Sequence, residues 1–381
     1  MKFPETWDIF CRVVDNFGDA GVCWRLARRL EQEGGAVRLW IDDLATLRRL
    51  QPAVTAATEQ VVDGVRVFEW SDGASVSSAD VVVEAFGCGL PEQYIGTMEK
   101  ACPQTLWIVL EYLSAELWVV EHHGLPSPHP RLALQRYFFF PGLAEGTGGL
   151  LREPDLFARR DRFSADARAA FWRSVGHVPP GAAATTVSLF AYETAPVAPL
   201  LAAWECSPVP VVAAVPEGSV LPAVLRHFGI AGLAAGDVAH HGALELRVVP
   251  FVPQVRYDEL LWSCDINFVR GEDSVVRALW AGRPFVWQIY PQQAQAHWVK
   301  LDAFLERYGR SAPERARDAA RAMMLAWNGI GNATAGVAAA WHRFANERPA
   351  LAEHTRNRAG DIATVGELAA NLVSFCREKL K

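Results

Sequence analysis

The chain has 381 residues, 51% of them hydrophobic and 21% charged, with 14 tryptophans and a formal net charge of -6. That length suggests two domains with large apolar cores. The acidic balance argues against a general nucleic-acid binder, though a local basic groove or a partner with a positive face stays open.

No stretch reaches the roughly 18 uninterrupted apolar residues of a membrane helix. Met1-Lys2-Phe3-Pro4-Glu5 lacks the basic region and apolar core of a signal peptide. The cysteines, Cys11, Cys23, Cys88, Cys102, Cys206, Cys264 and Cys376, are odd in number and scattered, with no Cys-x-x-Cys. They fit reduced, buried thiols in a cytosolic protein rather than a disulfide framework or a structural zinc.

Residues 7–11 are an apolar run that predicts a buried strand. The turn Arg12-Val13-Val14-Asp15-Asn16-Phe17-Gly18-Asp19-Ala20-Gly21 follows. Val22, Trp24, Leu26, Ala27 and Leu30 then fall at helical spacing, in a helix over 20–32 stopped by Gly34-Gly35. Strand, glycine turn and helix form the first half of a βαβ unit. Ligands of open α/β sheets bind at the carboxyl ends of strands, which puts Asp15, Asn16 and Asp19 at a cleft rim. The turn has no Gly-x-Gly-x-x-Gly and no Lys-Ser/Thr ending, so it is not a phosphate cradle. Two aspartates four apart suit a base, a cation clamp or a metal site. The plainer alternative makes Asp19 a helix cap and Asp15 a turn residue.

Strands are predicted over 37–41, 65–70, 79–85 and 106–110, the third buried on both faces because Val81-Val82-Val83 runs without alternation. Asp42-Asp43 after the second strand reads as a solvated strand end or a helix cap, since ribose recognition needs the missing glycine fingerprint. Phe86-Gly87-Cys88-Gly89 and Glu111-Tyr112-Leu113-Ser114-Ala115-Glu116 follow two further strand ends. Glu121-His122-His123 lies among prolines without ligand spacing and reads as loop. Residues 137–142 give an aromatic last strand or edge. The Gly-, Pro- and Arg-rich stretch 142–181 reads as a connection with one helix over 165–175.

The alternation restarts with strands over 185–190, 210–214, 244–250 and 266–269 and helices over 196–205, 219–228 and 254–263. A second doubly wound domain is therefore expected, with residues 1–175 and 358–381 in the first domain and 182–357 in the second. Two such domains facing each other would share one crevice. Strand ends of the second half carry Phe190 and Tyr192, Phe251 and Gln254, and Arg270-Gly271-Glu272-Asp273-Ser274. The rings either sandwich a planar base or cap the core. Asp273 or Ser274 is expected to cap a helix over 274–281, whose free N–H groups and Arg270 would suit an anion. Residues 282–291 then give a strand and a turn, with Tyr290 at the strand's carboxyl end. A helix over 292–308 carries His297, a packing residue or a ligand contact. The tail is helical, and its last helix, 364–377, is expected to pack on the first domain.

Together, the segments Asp15 to Leu26, Glu111 to Glu116 and Arg270 to Ser274 resemble the EarP family, protein-arginine rhamnosyltransferases that act on translation elongation factor P. The resemblance spans nearly the whole chain. It implies an α/β GT-B fold of two facing Rossmann-like domains with an interdomain cleft, dTDP-β-L-rhamnose as donor, elongation factor P as acceptor, no metal or other cofactor, and inversion at the anomeric carbon. It makes Asp15, Asp19 and Glu272 catalytic. It places Asn16, Phe17 and Gly18 near the sugar, Phe190, Tyr192, Phe251 and Gln254 around thymine, and Arg270, Asp273, Ser274 and Tyr290 at the diphosphate. Two rivals come from other classes: a metal-dependent sugar-nucleotide hydrolase or epimerase, and a non-catalytic sugar-nucleotide-binding regulator.

Overall fold

A computed structural model describes residues 4–70, 77–101, 105–291, 296–330 and 336–380. Cys102, the expected helix start at 292 and the Gly331-Asn332 break lie outside the described residues. The chain divides into two compact units, Met1–Glu153 with Asp361–Lys381, and Pro154–Gly360.

The first unit runs β1 (Thr6–Cys11), α1 (Phe17–Gln32), β2 (Ala36–Ile41), α2 (Leu44–Leu50), β3 (Glu59–Val62), β4 (Val65–Glu69), β5 (Val81–Ala85), α3 (Glu92–Ala101), β6 (Leu106–Leu110), α4 (Trp118–His122), β7 (Pro126–Pro128) and β8 (Gln135–Phe139). Among the described residues its sheet has the order β3-β4-β2-β1-β5-β6-β8-β7. The inner strands are parallel, while β3 and β7 pair antiparallel with β4 and β8. Both antiparallel strands escaped the sequence reading. Each is short, exposed and lacks an apolar face, as edge strands are.

One side of this sheet is held by Phe10, Trp40, Trp70, Val82, Tyr94, Met98 and Trp107. Asp8 is fully buried among them. Arg38 grips it with Nε and Nη2 at 2.6 Å each, and Trp40 Nε1 and Tyr94 Oη also donate to it. A buried carboxylate survives only with such complete pairing. Asp8 lies near the amino end of β1, so its role is to lock the sheet.

The second unit runs α5 (Leu156–Asp161), α6 (Ala165–Ser174), β9 (Thr185–Leu189), α7 (Val197–Glu205), β10 (Val211–Pro216), α8 (Leu221–Phe228), β11 (Val238–His241), β12 (Leu244–Val249), α9 (Gln254–Ser263), β13 (Ile266–Arg270), α10 (Gly271–Ala281), β14 (Phe285–Gln288), α11 (Ala296–Gly309), α12 (Glu314–Trp327), α13 (Val337–Asn346) and α14 (Arg348–Ala363). Its sheet has the order β11-β12-β10-β9-β13-β14, parallel except for β11. The last helix, α15 (Leu368–Lys379), packs on α1 in the first unit, as its unpaired apolar face required. Glu367 ties it down by accepting from Arg29 Nη2 at 3.4 Å and from Arg152 N at 3.4 Å.

The domain boundary differs from the expected one. The helix over 165–174 is not a linker of the first half. Phe171 and Trp172 sit in one core with Ala214, Val249, Val252 and Leu260 of the second unit. Arg168 adds donors to Ser263 O at 2.9 Å and Thr186 Oγ1 at 2.8 Å. The Gly- and Arg-rich composition around this helix resembled linker, but two buried aromatic rings decide where it belongs.

Strand order locates the place where each sheet binds ligands. In the first sheet the order runs outward in opposite senses from β1 and β5. In the second it does so from β9 and β13. Neighbouring crossovers there leave by opposite faces, opening a crevice at the strand carboxyl ends.

Candidate active site

At the first switch point, residues 12–16 join β1 to α1. Asn16, exposed at the helix start, holds φ 39°. Gly18 N donates to Asp15 O at 2.7 Å and closes the turn. Asp19 stands in the first helical turn, only 2% exposed. Its side chain does not cap α1, contrary to the plainer sequence alternative. Oδ2 instead accepts from Val14 N and Asp15 N, each at 2.8 Å, and so shapes the loop before the helix. Oδ1 accepts from Tyr112 Oη at 3.2 Å.

Burial pushes the Asp19 carboxyl above its ordinary pKa, against the two backbone N–H groups and Tyr112, which favour the charged form. Asp42 adds a smaller upward push. The result is a carboxylate more basic than an exposed one, as a proton acceptor needs to be. Asp15 is buried beside it. Gly18 packs so closely that a Cβ there would lie 2.6 Å from Asp15 Oδ2. Phe17 lies under the Arg49 guanidinium, 5.1 Å from ring centroid to Cζ. Asp43 is the helix cap expected of it, accepting from Thr46 N at 2.9 Å.

At the second switch point Phe190 and Tyr192 stand together with Arg270. Arg270 ends β13, and its guanidinium lies 4.5 Å from the Phe190 ring centroid and 4.6 Å from that of Tyr192. Its Nη1 donates to Ser219 Oγ at 2.8 Å. Tyr192 meets Tyr290 edge to face at 5.7 Å, and its backbone N–H donates to Gln288 Oε1 at 2.8 Å. Gln254 Nε2 donates to Asp273 Oδ2 at 2.9 Å, which also accepts from Arg277 Nε at 3.2 Å. Arg277 Nη1 reaches Asp258 at 2.9 Å. Asp273 is thereby held by Gln254 and Arg277, and this network fixes α9 to α10. Phe251, half-buried, stands between β12 and α9.

The helix after β13 begins three residues earlier than expected, at Gly271, whose φ of 63° lets the strand turn directly into the helix. Neither Asp273 nor Ser274 caps it. Ser274 Oγ accepts from Arg270 N at 3.0 Å and donates to Arg270 O, stapling strand to helix. Arg270, the residue that precedes α10, makes no side-chain cap to it. Glu272 is half-buried in the same turn.

Other expectations resolve away from these loops. Among the described residues, no group of three His, Cys, Asp or Glu side chains could hold a metal ion. His123 Nδ1 accepts from Phe140 N at 3.1 Å, and burial lowers its pKa to about 4, so it is a neutral packing residue. His297 is half-buried and meets Trp298 edge to face. No described helix is long and apolar enough to cross a membrane.

Comparison with known proteins decides the family. Residues 7–377 match the model of the elongation factor P rhamnosyltransferase EarP. The chain belongs to the EarP family. A protein-arginine rhamnosyltransferase of Pseudomonas putida is 46% identical over 98% of this chain and 99% of its own. One of Pseudomonas aeruginosa is 45% identical over 97% and 98%. The solved structure described as the basis for EarP-mediated arginine glycosylation of translation elongation factor EF-P matches with TM-score 0.69 and 37% identity, over 98% of this chain and 99% of that one. MurG of Acinetobacter baumannii, 12% identical with TM-score 0.52 over 98% and 99%, shares the fold. EarP membership makes this chain an enzyme, a glycosyltransferase of the GT-B type.

Within that EarP fold, several residues of the two loops were not singled out from sequence. Tyr112 was named only as part of the Glu111 to Glu116 segment, without a role, and Gln288 stands at a strand end where position alone could have flagged it. Ser219, Arg277, Asp258 and Arg49 carried no such signal, because their roles come from pairing across elements distant in the chain.

Proposed function

We propose that this chain transfers L-rhamnose from dTDP-β-L-rhamnose to an arginine side chain of elongation factor P, with inversion and without a metal, in the cytoplasm. The observation that carries this reading is Asp19: a buried carboxylate with raised basicity, at the switch point of a sheet in a chain of the EarP family.

Arginine is a poor nucleophile, since its guanidinium stays protonated and its lone pairs are delocalised. A carboxylate must orient it and take a proton as the bond forms. Asp19 takes that proton from the attacking nitrogen. The new bond joins that nitrogen to the anomeric carbon, while the bond from that carbon to the diphosphate oxygen breaks and dTDP leaves. Inversion places the nitrogen opposite the diphosphate. Asp15 orients the guanidinium, and both carboxylates favour the positive charge developing on the sugar ring. Asn16, Phe17 and Gly18 wall the sugar.

For the donor, Arg270, Tyr290 and the start of α10 stabilise the departing diphosphate. Ser274 serves there by fixing Arg270. Phe190, Tyr192, Phe251 and Gln254 hold thymine. Asp273 holds Gln254 in place. A carboxylate beside a diphosphate would repel it, so Glu272 serves the sugar, the acceptor or Arg270. Intact mass of elongation factor P after incubation with this protein and dTDP-rhamnose tests the reaction. A gain of one deoxyhexose, localised to an arginine, is expected. An unmodified acceptor beside consumed donor would point to hydrolysis instead.

A further inference from the structure

Tyr112 follows β6 by two residues and reaches Asp19 from a different strand end. We infer that Tyr112 is a positioning residue: its hydroxyl keeps Asp19 ionised and leaves one lone-pair direction of Oδ1 open for the incoming guanidinium. This rests on the reading of Asp19 as the base.

The geometry supplies the accounting. A carboxylate offers about four lone-pair directions. Two on Oδ2 are taken by Val14 N and Asp15 N, and one on Oδ1 by Tyr112 Oη. Among the described residues one direction on Oδ1 has no donor, and it can take an N–H of the incoming guanidinium. An O–H donor to the charged carboxyl favours its ionised form, against the burial that disfavours it.

The Tyr112 ring is held for this task. It stacks on Phe86, with centroids 4.3 Å apart and planes 9° from parallel. Phe86 has φ 58°, a left-handed conformation that costs energy for a bulky side chain. Its N–H donates to Leu110 O at 2.7 Å, anchoring that conformation to the end of β6. Strained backbone is thus kept where it lays one ring flat against Tyr112. The titratable groups set against Asp19 are Asp15 in the same turn, Asp42 after β2, Cys11 at the end of β1, Cys23 on α1 and Tyr112. Asp42 is paired with Arg12 at 3.9 Å. Tyr112 is the side chain among them that donates a hydrogen bond to the carboxyl.

Tyr112→Phe keeps the ring and removes the hydroxyl. Aspartate labelled with carbon-13 at the carboxyl reports Asp19 directly, its signal assigned by its loss in Asp19→Asn. The Asp19 midpoint should move up by about one pH unit, a tenfold change in the proton equilibrium. The acidic limb of kcat should move with it, with KM for dTDP-rhamnose unchanged. Phe86→Leu, which keeps the hydroxyl but loosens the ring, should give the same shift in smaller size. A midpoint that stays put in both variants overturns the role of Tyr112, whatever happens to turnover. A midpoint that moves while the limb does not supports Tyr112 acting on Asp19 and overturns Asp19 as the base.

Discussion

Asp19→Asn separates chemistry from architecture more cleanly than any other single change. The carboxamide oxygen replaces Oδ2, to which Val14 N and Asp15 N donate at 2.8 Å in the parent, and can accept the same two bonds, so the loop should keep its shape. What disappears is proton acceptance. General base catalysis contributes about 10²–10⁴-fold, so kcat should fall by that factor, equivalent to roughly 2.7–5.5 kcal/mol of barrier. Affinity for dTDP, measured by calorimetry, should stay within about twofold, because uniform ground-state binding is untouched. Stability should not fall. Burial raises the folded-state pKa of Asp19 above its unfolded value. The native state therefore holds more protons between the two values, and stability drops as pH rises through the folded pKa. An uncharged Asn escapes that loss, so the melting temperature near pH 8 should equal or exceed the parent's. The assay is rhamnosylated elongation factor P by intact mass, beside melting curves. Turnover within tenfold of the parent would refute the base assignment, and a lowered melting temperature would refute the account of the loop.

Gly18→Ala brings a Cβ to 2.6 Å from Asp15 Oδ2 and must displace that carboxylate. Overpacking of this kind costs about 1–3 kcal/mol, so denaturant titration should show that loss together with a drop in kcat. Arg270→Lys keeps the charge but not the planar fork held between Phe190 and Tyr192. It should weaken dTDP binding by about tenfold, near 1.4 kcal/mol, and unchanged affinity by calorimetry would count against a donor role. Trp172→Ala empties a fully buried site in the second unit and should cost about 3–5 kcal/mol of stability. Turnover measured in excess EDTA should match the untreated rate, and a loss that divalent ions restore would contradict the metal-free proposal.

The alternation of strands and helices was legible because parallel strands buried on both faces leave continuous apolar runs. Val81, Val82 and Val83 are fully buried, as their sequence demands. The strands that were missed, β3, β7 and β11, carry no such run, since edge strands pair on one side only. The acidic turn was also legible as a strand-to-helix loop, because Asp15 and Asp19 follow an apolar run and precede helical spacing. Their mutual arrangement was not. Sequence cannot say that Asp19 Oδ2 bonds backward to residues 14 and 15, or that the hydroxyl on its other oxygen comes from a residue 93 positions away. Likewise the Ser274 hydroxyl read as a helix cap, yet the positive φ of Gly271 starts the helix earlier and turns that hydroxyl onto Arg270.

That last difference alters what the serine-headed turn is able to do. A capping side chain would consume N–H groups at the start of α10, the groups an anion needs. By bonding to the Arg270 main chain instead, Ser274 does not itself take up N–H groups at the start of α10, and it fixes the residue whose guanidinium lies across two aromatic rings. Asp19 follows the same logic in the first unit. It too stands in the first turn of a helix without capping it, and spends its bonds on the preceding loop. In both loops a polar side chain of the first helical turn braces the strand end behind it. A residue one turn into the helix thereby controls the geometry of the segment proposed to meet the substrate, which is why substitutions at Asp19 and Ser274 that remove the accepting oxygen should affect neighbours as well as their own atoms.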